Sequence, residues 1–574
     1  MTNLTPIFVR LRQFAPLVLA LIGALVIVLY PVIDYDLYWH LANGREMVKD
    51  GRIVSEEVFS FTHFGEKFEN HEWLAQIIFY LIWQSVGPYG LLGLKLLTAS
   101  LVVLIGYRTA RTLGGQPWLA ALLCVFAVLA GQLHYTERPE LFSLLNIALL
   151  SFILYGYRAG LLSRGALWFI PPILVVWNSL HGAVYGLGFL SLFVAGENIK
   201  RFFPIWRREA TDNQAAINTL NLCYALTVLA MLIDPFGLRS YGIFFGYLNN
   251  ETMPDIIDFM PITSLWRAFI PFILMLTWAS LLAVRHIRSI DITQLILLLV
   301  FGAMSVRYSR ISGVASIVLI PIIASLMTTA AHRASSKLQQ SLITAMMLLA
   351  AAFITGYGYM VKFSNKASSC ITAGYPLIED AYPVGSLRFV KAMGINGNYY
   401  NTGALGGYLS YFAAPERKIF QYNMPLFLDS GSFVEYPDKL TRWNINYAFV
   451  ADKKELRRLF PNAQWAWVYR DPKAVLILRR TPQNQALIQQ YELRFFLNLQ
   501  DDVLRKQAED AKVLPRLTEE MGIYLAFRED QHIADLWSEI LIANPGQRNQ
   551  PYIQRLLRQA LKYNNVGKLT QLAG

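Results

Sequence analysis

Over its first 361 residues the chain does not alternate polar and apolar positions at the period of a strand or of an amphipathic helix; its apolar residues come in blocks. Long apolar runs separated by short polar loops are the pattern of a polytopic membrane protein, each run a helix crossing the bilayer. The runs predict eleven spans, at 14–33, 89–107, 118–134, 139–157, 166–180, 184–199, 216–233, 268–284, 292–305, 311–327 and 342–361. Several fall short of the ~20 residues a bilayer asks for, so one pair can be re-entrant. A further run, 73–86, ends at Gly87-Pro88 and is too short to cross; it predicts a helix lying at the interface.

Past residue 362 the pattern changes. Residues 362–480 hold strand-like runs (YAFVAD, WAWVYRD, AVLILRR) and a Gly-rich stretch, NTGALGGYL, that reads as a turn, which together predict a small α/β domain. In 481–574 leucines and alanines recur at helical spacing among charges, and ANPG at 543–546 separates two helices. This is either a degenerate TPR-like helical repeat or a helical cap on the α/β domain. The expected fold class is an α-helical polytopic membrane domain (1–361) with a C-terminal extramembrane α/β domain and a helical tail.

Charge sets the orientation. Lys and Arg number 51 against 39 Asp and Glu, a net +12. No stretch interleaves basic and aromatic residues in a soluble context, so nucleic-acid binding is not indicated. With the N-terminus inside and 73–86 not crossing, the inside segments hold Arg10/Arg12, Arg108/Arg111, Arg158/Arg164, Lys200/Arg201/Arg207/Arg208, Arg285/Arg288 and Arg333/Lys337. Every one is basic, as cytoplasmic loops are. The reading therefore places the chain in the inner (plasma) membrane, N-terminus cytoplasmic and 362–574 periplasmic. The first run follows Arg10 and Arg12 with no clear small-x-small cleavage site, and reads as an uncleaved span rather than a signal peptide. Cys124 and Cys223 lie in apolar runs and Cys370 outside them, which gives neither a disulfide framework nor a zinc spacing.

On this topology the costly polar residues gather on the outer side: Gln132, His134, Glu137 and Arg138; Trp177, Asn178 and His181; Asp234 and Arg239; Arg307 and Arg310. Polar groups near membrane depth face a cavity or a partner, so the clustering predicts a cavity beneath the loop 34–74. That loop carries Asp34, Asp36, His40, His63, His71 and Glu72. Asp36 and His40 are four apart and share a helix face. Asp36 can accept a proton, and His40 can orient it or meet a phosphate. His71 and Glu72 open the 73–86 helix, where free backbone N–H groups attract anions. Arg138, Arg307 and Arg310 can clamp phosphate oxygens, with His181 beside them. A carboxylate base with a cationic clamp is what transfer from a phosphate-linked donor requires. The same residues carry other readings: Asp36 as an ordinary interfacial carboxylate, the Asp/His/Glu set as a metal site, Asp234-Pro-Phe-Gly as a turn that ends a helix.

The loop resembles the GT-C membrane glycosyltransferases, in the branch of protein O-mannosyltransferases and lipid A aminoarabinose transferases. In that pattern one span is followed by an outer loop with an acidic residue, a Tyr four on, a Met at eleven and a Gly at fifteen. Here Asp36, His40, Met47 and Gly51 stand at those positions. Leu37 replaces the second acidic residue of the usual pair. His71-Glu72-Trp73-Leu74 stands where the family has Lys-Pro-Pro-Leu. The resemblance covers 14–115 in order and the other spans only as architecture. It implies transfer of a sugar from a polyprenyl-phosphate-linked donor to a glycan, lipid or protein acceptor on the outer face. It also implies Asp36 as catalytic base; the reading of the residues sets His40, His71, Glu72, Arg138, His181, Arg307 and Arg310 toward the donor phosphate. Oligosaccharyltransferases share the architecture and use a divalent metal, so a metal stays open. The tail would dock a protein partner. Two other functions remain: a transporter or flippase of lipid-linked glycan, and a non-catalytic assembly protein.

Overall fold

A computed structural model describes residues 5–32, 34–202, 214–237, 239, 242, 259–333, 356, 379–423, 437–564 and 567–573. The chain divides into two compact units. The first comprises Met1–Asp34, Asn43–Ser55 and Glu69–Leu377, and the second Tyr35–Ala42, Glu56–Phe68 and Ile378–Gly574.

The first unit is helical. In chain order its helices are α1 (Thr5–Val28), the later part of α2 (Leu37–Asp50), α3 (Trp73–Val86), α4 (Pro88–Thr112), α5 (Pro117–Ala130), α6 (Glu140–Arg158), α7 (Ile170–His181), α8 (Val184–Phe202), α9 (Gln214–Ala230), α10 (Ile270–Arg285), α11 (Ile292–Arg307) and α12 (Ser312–Arg333). Proline at the first turn opens α4, α5, α7 and α10, where its missing N–H costs nothing and its fixed φ suits the helix. Between α3 and α4 the chain turns at Gly87 with φ 68°, a left-handed conformation that glycine takes without strain.

Among the described residues three helices are long and apolar enough to cross a membrane: Pro88–Thr112, Glu140–Arg158 and Ser309–Ala330. Phe14–Val28, Trp73–Val86, Pro117–Ala130, Ala216–Ala230, Ile270–Arg285 and Ile292–Arg307 are apolar but shorter. The span expected at 342–361 lies outside the described residues, and the count of eleven is not established. α3 has 14 residues, about 21 Å of helix against a hydrocarbon core of about 30 Å.

α12 is the hub. Within Ser309–Ala330, 89% of the apolar window is buried, against 39% for α4. α12 packs on α4, α5, α6, α10 and α11, and its Val314, Ile317, Val318 and Ile322 are wholly enclosed in the apolar core. At the end of the bundle that holds Arg158 (end of α6), Glu197 and Lys200 (α8) and Asp291 (before α11), four charges form one network, with Glu197 and Lys200 buried and Arg158 and Asp291 partly so. Lys200 meets Glu197 at 2.6 Å and Asp291 at 2.7 Å, while Arg158 pairs with Asp291 and lies 3.6 Å from Glu197. Asp291 also caps α11, accepting from the backbone N–H of Thr293 at 3.0 Å and of Gln294 at 3.3 Å.

The second unit is built on a four-stranded sheet, β1 (Asn398–Asn401), β2 (Ile445–Val450), β3 (Trp465–Arg470) and β4 (Val475–Arg479), in the order β1-β2-β4-β3. β1 runs parallel to β2, with Tyr399 opposite Tyr447; β4 is antiparallel to β2 and β3, with Ala448 opposite Ile477. The three apolar runs expected as strands are β2, β3 and β4. The stretch NTGALGGYL differs from its expected turn: after β1 it forms the helix Gly403–Phe412. Its glycines serve close packing. A methyl group at Gly406 would collide with the Gln421 carbonyl and the Tyr422 Cβ. The tail is helical, at Gln485–Tyr491, Asp501–Ala508, Leu514–Leu525, Gln531–Ala543, Pro545–Arg548, Pro551–Ala560 and Gly567–Ala573. Buried Arg528 bonds Asp471, at the end of β3, at 3.2 Å and pairs with Asp380, and Tyr469 Oη donates to the Tyr524 carbonyl at 2.9 Å.

Candidate functional site

The polar residues of the first unit converge where α1, α5, α7, α9 and α11 end and α3, α6 and α12 begin. The chain is pinned there first. Lys95, wholly buried in α4, pairs with Glu137 at 2.6 Å and donates to the Tyr30 carbonyl at 2.9 Å. Tyr30 Oη donates back to the Tyr135 carbonyl at 2.5 Å. This fixes the loop between α5 and α6, and its next residue, Arg138, reaches Asp34 with Nε at 2.6 Å from Oδ2. Asp34 is almost fully enclosed, so the guanidinium compensates a charge that burial alone would disfavour.

The second cluster centres on His181, the last residue of α7. Its Nδ1 lies 2.8 Å from Ser143 Oγ, its Nε2 lies 2.9 Å from Arg310 Nη2, and Glu72 Oε1 is 3.7 Å from Nε2. Arg310 can only donate, so Nε2 accepts and the ring is neutral with its proton on Nδ1. Ser143 Oγ then accepts from His181 and also from Trp177 Nε1 at 2.7 Å. The His71 N–H donates to the Glu69 carbonyl at 3.1 Å, and its ring sits 3.8 Å from Glu72 and next to Gly182, which has φ 44°. Burial pushes the Glu72 carboxyl up to about 7, against the pull of Arg310 and Arg138. Burial, and then Arg310, pushes the His71 imidazole down to about 4. Nearby, Asn178 donates to Asp234 Oδ2 at 2.8 Å, while Asp234 Oδ1 caps its own turn at the Phe236 N–H. His134 bridges Glu140 at 3.1 Å and Ser312 at 2.9 Å.

Of the residues singled out in the sequence, Glu72, His71, His181 and Arg310 therefore form one contact set, and Arg138 acts electrostatically on Glu72 while paired to Asp34. Arg307 is exposed and stands over the Tyr308 ring at 4.8 Å. Asp36 and His40 belong to the second unit. Asp36 directly precedes α2, and the His40 N–H donates to its carbonyl at 3.3 Å. His40 is buried, its ring 3.8 Å from that of Trp39. Sequence reasoning passed over Ser143 and Lys95. Lys95 stood out as the sole charge inside the 89–107 run; Ser143 gave no signal, because a serine in an apolar helix is commonplace. Among the described residues no group of three or more His, Cys, Asp or Glu side chains is arranged to hold a metal ion.

The fold is similar to that of an archaeal oligosaccharyltransferase of known structure. No protein-family model matches the sequence, and no curated protein matches it. In solved structures the chain is similar to the archaeal oligosaccharyltransferase AglB from Archaeoglobus fulgidus in complex with an inhibitory peptide and a dolichol-phosphate, with TM-score 0.50 and 9% identity over 77% of this chain and 70% of that one. It is also similar to ArnT from Cupriavidus metallidurans bound to undecaprenyl phosphate, with TM-score 0.48 and 13% identity over 81% of this chain and 97% of that one. At such identities the likeness is one of fold.

Proposed function

We propose that the chain is an integral membrane glycosyltransferase that moves a sugar from a polyprenyl-phosphate-linked donor to an acceptor on the periplasmic face. The observation that carries this reading is the cationic cluster of the first unit: Arg310 steered by His181 and Glu72, and Arg138 anchored on Asp34, two residues along the chain from Asp36. The GT-C fold, shared with an oligosaccharyltransferase held with a dolichol-phosphate, supports it. So does the Asp36/His40/Met47/Gly51 spacing.

In this mechanism Asp36 takes the proton of the acceptor hydroxyl as its oxygen attacks the anomeric carbon. The bond from that carbon to the phosphate oxygen breaks, and the electron pair leaves with the phosphate. Arg310 and Arg138, with His71 and Glu72 beside them, meet the developing charge. We assign His40 and Arg307 to the donor phosphate as well. Placement in the inner membrane with the C-terminal part outside follows the basic loops and is part of the same reading. Mass analysis of the lipid that co-purifies tests it. A bound polyprenyl phosphate is expected, and Arg138→Ala and Arg310→Ala should each weaken retention of added undecaprenyl phosphate by roughly tenfold or more, the worth of a charge-assisted contact. Absence of binding by the wild-type protein at saturating undecaprenyl phosphate contradicts the reading.

A further inference from the structure

Both parts of the first loop that belong to the second unit, 35–42 and 56–68, pack on the C-terminal region, on the run 403–422 and on Tyr382 and Lys473. Gly407 makes the closest approach. A Cβ there would lie 2.5 Å from the Tyr35 carbonyl oxygen, a backbone atom one residue before Asp36. On the other side of Asp36, Tyr38 is enclosed edge-on between Tyr382 and Tyr408, with ring centroids 4.9 and 5.2 Å away. Lys473 Nζ donates to Tyr35 Oη at 2.7 Å. The second part of the loop is stitched to 419–422. The Ile419 N–H donates to the Phe59 carbonyl at 3.0 Å, and the Phe61 N–H to the Ile419 carbonyl at 3.1 Å. Tyr422 Oη donates to Glu57 Oε2 at 2.5 Å, and Glu57 Oε1 accepts from the N–H groups of Phe59 and Ser60 at 2.7 Å.

We propose that the C-terminal unit positions the Asp36 segment for turnover, with Gly407 and Lys473 as positioning residues that act through the backbone and side chain of Tyr35. The inference rests on Asp36 being the base. It gives the extramembrane part a role in catalysis itself, apart from any recognition of acceptor or partner. Neither Gly407 nor Lys473 is among the residues assigned to the donor phosphate, so donor affinity should survive their loss.

The test uses the full chain in nanodiscs, with release of undecaprenyl phosphate from undecaprenyl-phosphate-linked hexose as the turnover probe and deuterium exchange of the 35–42 amides as the structural one. Gly407→Ala should lower kcat by about 10- to 100-fold, the scale of an ångström-sized misplacement, with KM unchanged and faster exchange at 35–42. Tyr35→Phe, which removes one hydroxyl, should lower kcat less and leave KM unchanged; should Gly407→Ala fail to fold, it decides the matter. Glu520→Gln disturbs the same unit elsewhere, at a buried carboxylate that accepts the N–H groups of Arg494, Phe495 and Phe496, and should keep wild-type kcat. Wild-type turnover and exchange in both Gly407→Ala and Tyr35→Phe overturn the inference, as does an equal loss in Glu520→Gln. Asp36→Asn, measured beside them, separates the two ideas. Activity in that variant removes the reading of Asp36, whereas a dead Asp36→Asn beside active Gly407→Ala and Tyr35→Phe removes only the positioning role.

Discussion

Glu72 and His71 are neighbours in sequence with opposite responses to the same burial. The carboxyl is raised from 4.5 to about 7 and the imidazole lowered from 6.5 to about 4. Between 4.5 and 6.5 folded Glu72 keeps a proton that the unfolded chain has lost, and folded His71 lacks one that the unfolded chain holds, so their effects on stability offset. Removing one unmasks the other. Glu72→Gln leaves His71, whose contribution is present above 6.5 and lost as the pH falls through about 4. His71→Asn leaves Glu72, whose contribution is present below 4.5 and lost as the pH rises through about 7. Melting temperatures across this range should therefore slope in opposite directions for the two variants. Profiles parallel to the wild type contradict this account of the pair.

At the scale of elements, the contact between α2 and α3 depends on one glycine. A methyl group at Gly44 would stand 2.7 Å from Tyr80 Cβ and closer still to the Gln76 carbonyl. The obstacle is backbone in a helix, which cannot give way cheaply. Gly44→Ala should lower unfolding stability by about 1–3 kcal/mol or more, the cost of overpacking, read as a fall in melting temperature; an unchanged melt contradicts the close approach. Such positions show why the sequence revealed some elements and hid others. The 73–86 run is a helix with the expected ends because its apolar block is bounded by charge on one side and Gly87-Pro88 on the other. β2, β3 and β4 were legible from their aromatic and β-branched runs. The helix Gly403–Phe412 was not, because its glycines answer to backbone outside the helix, at Gln421 and, far away in sequence, at Tyr35. For the same reason the meeting of Glu72, His181 and Arg310 was legible only as a shared side of the membrane: the contacts that join Glu72 and Arg310 at His181 Nε2, with Ser143 holding Nδ1, depend on three-dimensional packing.

At the scale of the molecule, the first unit has two polar ends with different characters. One holds the Arg158, Glu197, Lys200 and Asp291 network, whose charges balance and which also caps a helix. The other, where α1, α5, α7, α9 and α11 finish, holds a cluster whose cations are steered by a neutral histidine and a carboxyl near its titration point. Within the second unit, the segment that carries Asp36 packs against the helix Gly403–Phe412. The most direct measurement is sugar transfer by the reconstituted protein from the proposed polyprenyl-phosphate donor, with Asp36→Asn beside the wild type. The account predicts that Asp36→Asn folds and retains polyprenyl phosphate yet transfers less than about one part in a hundred, the scale of a lost general base; transfer at the wild-type rate by that variant contradicts it.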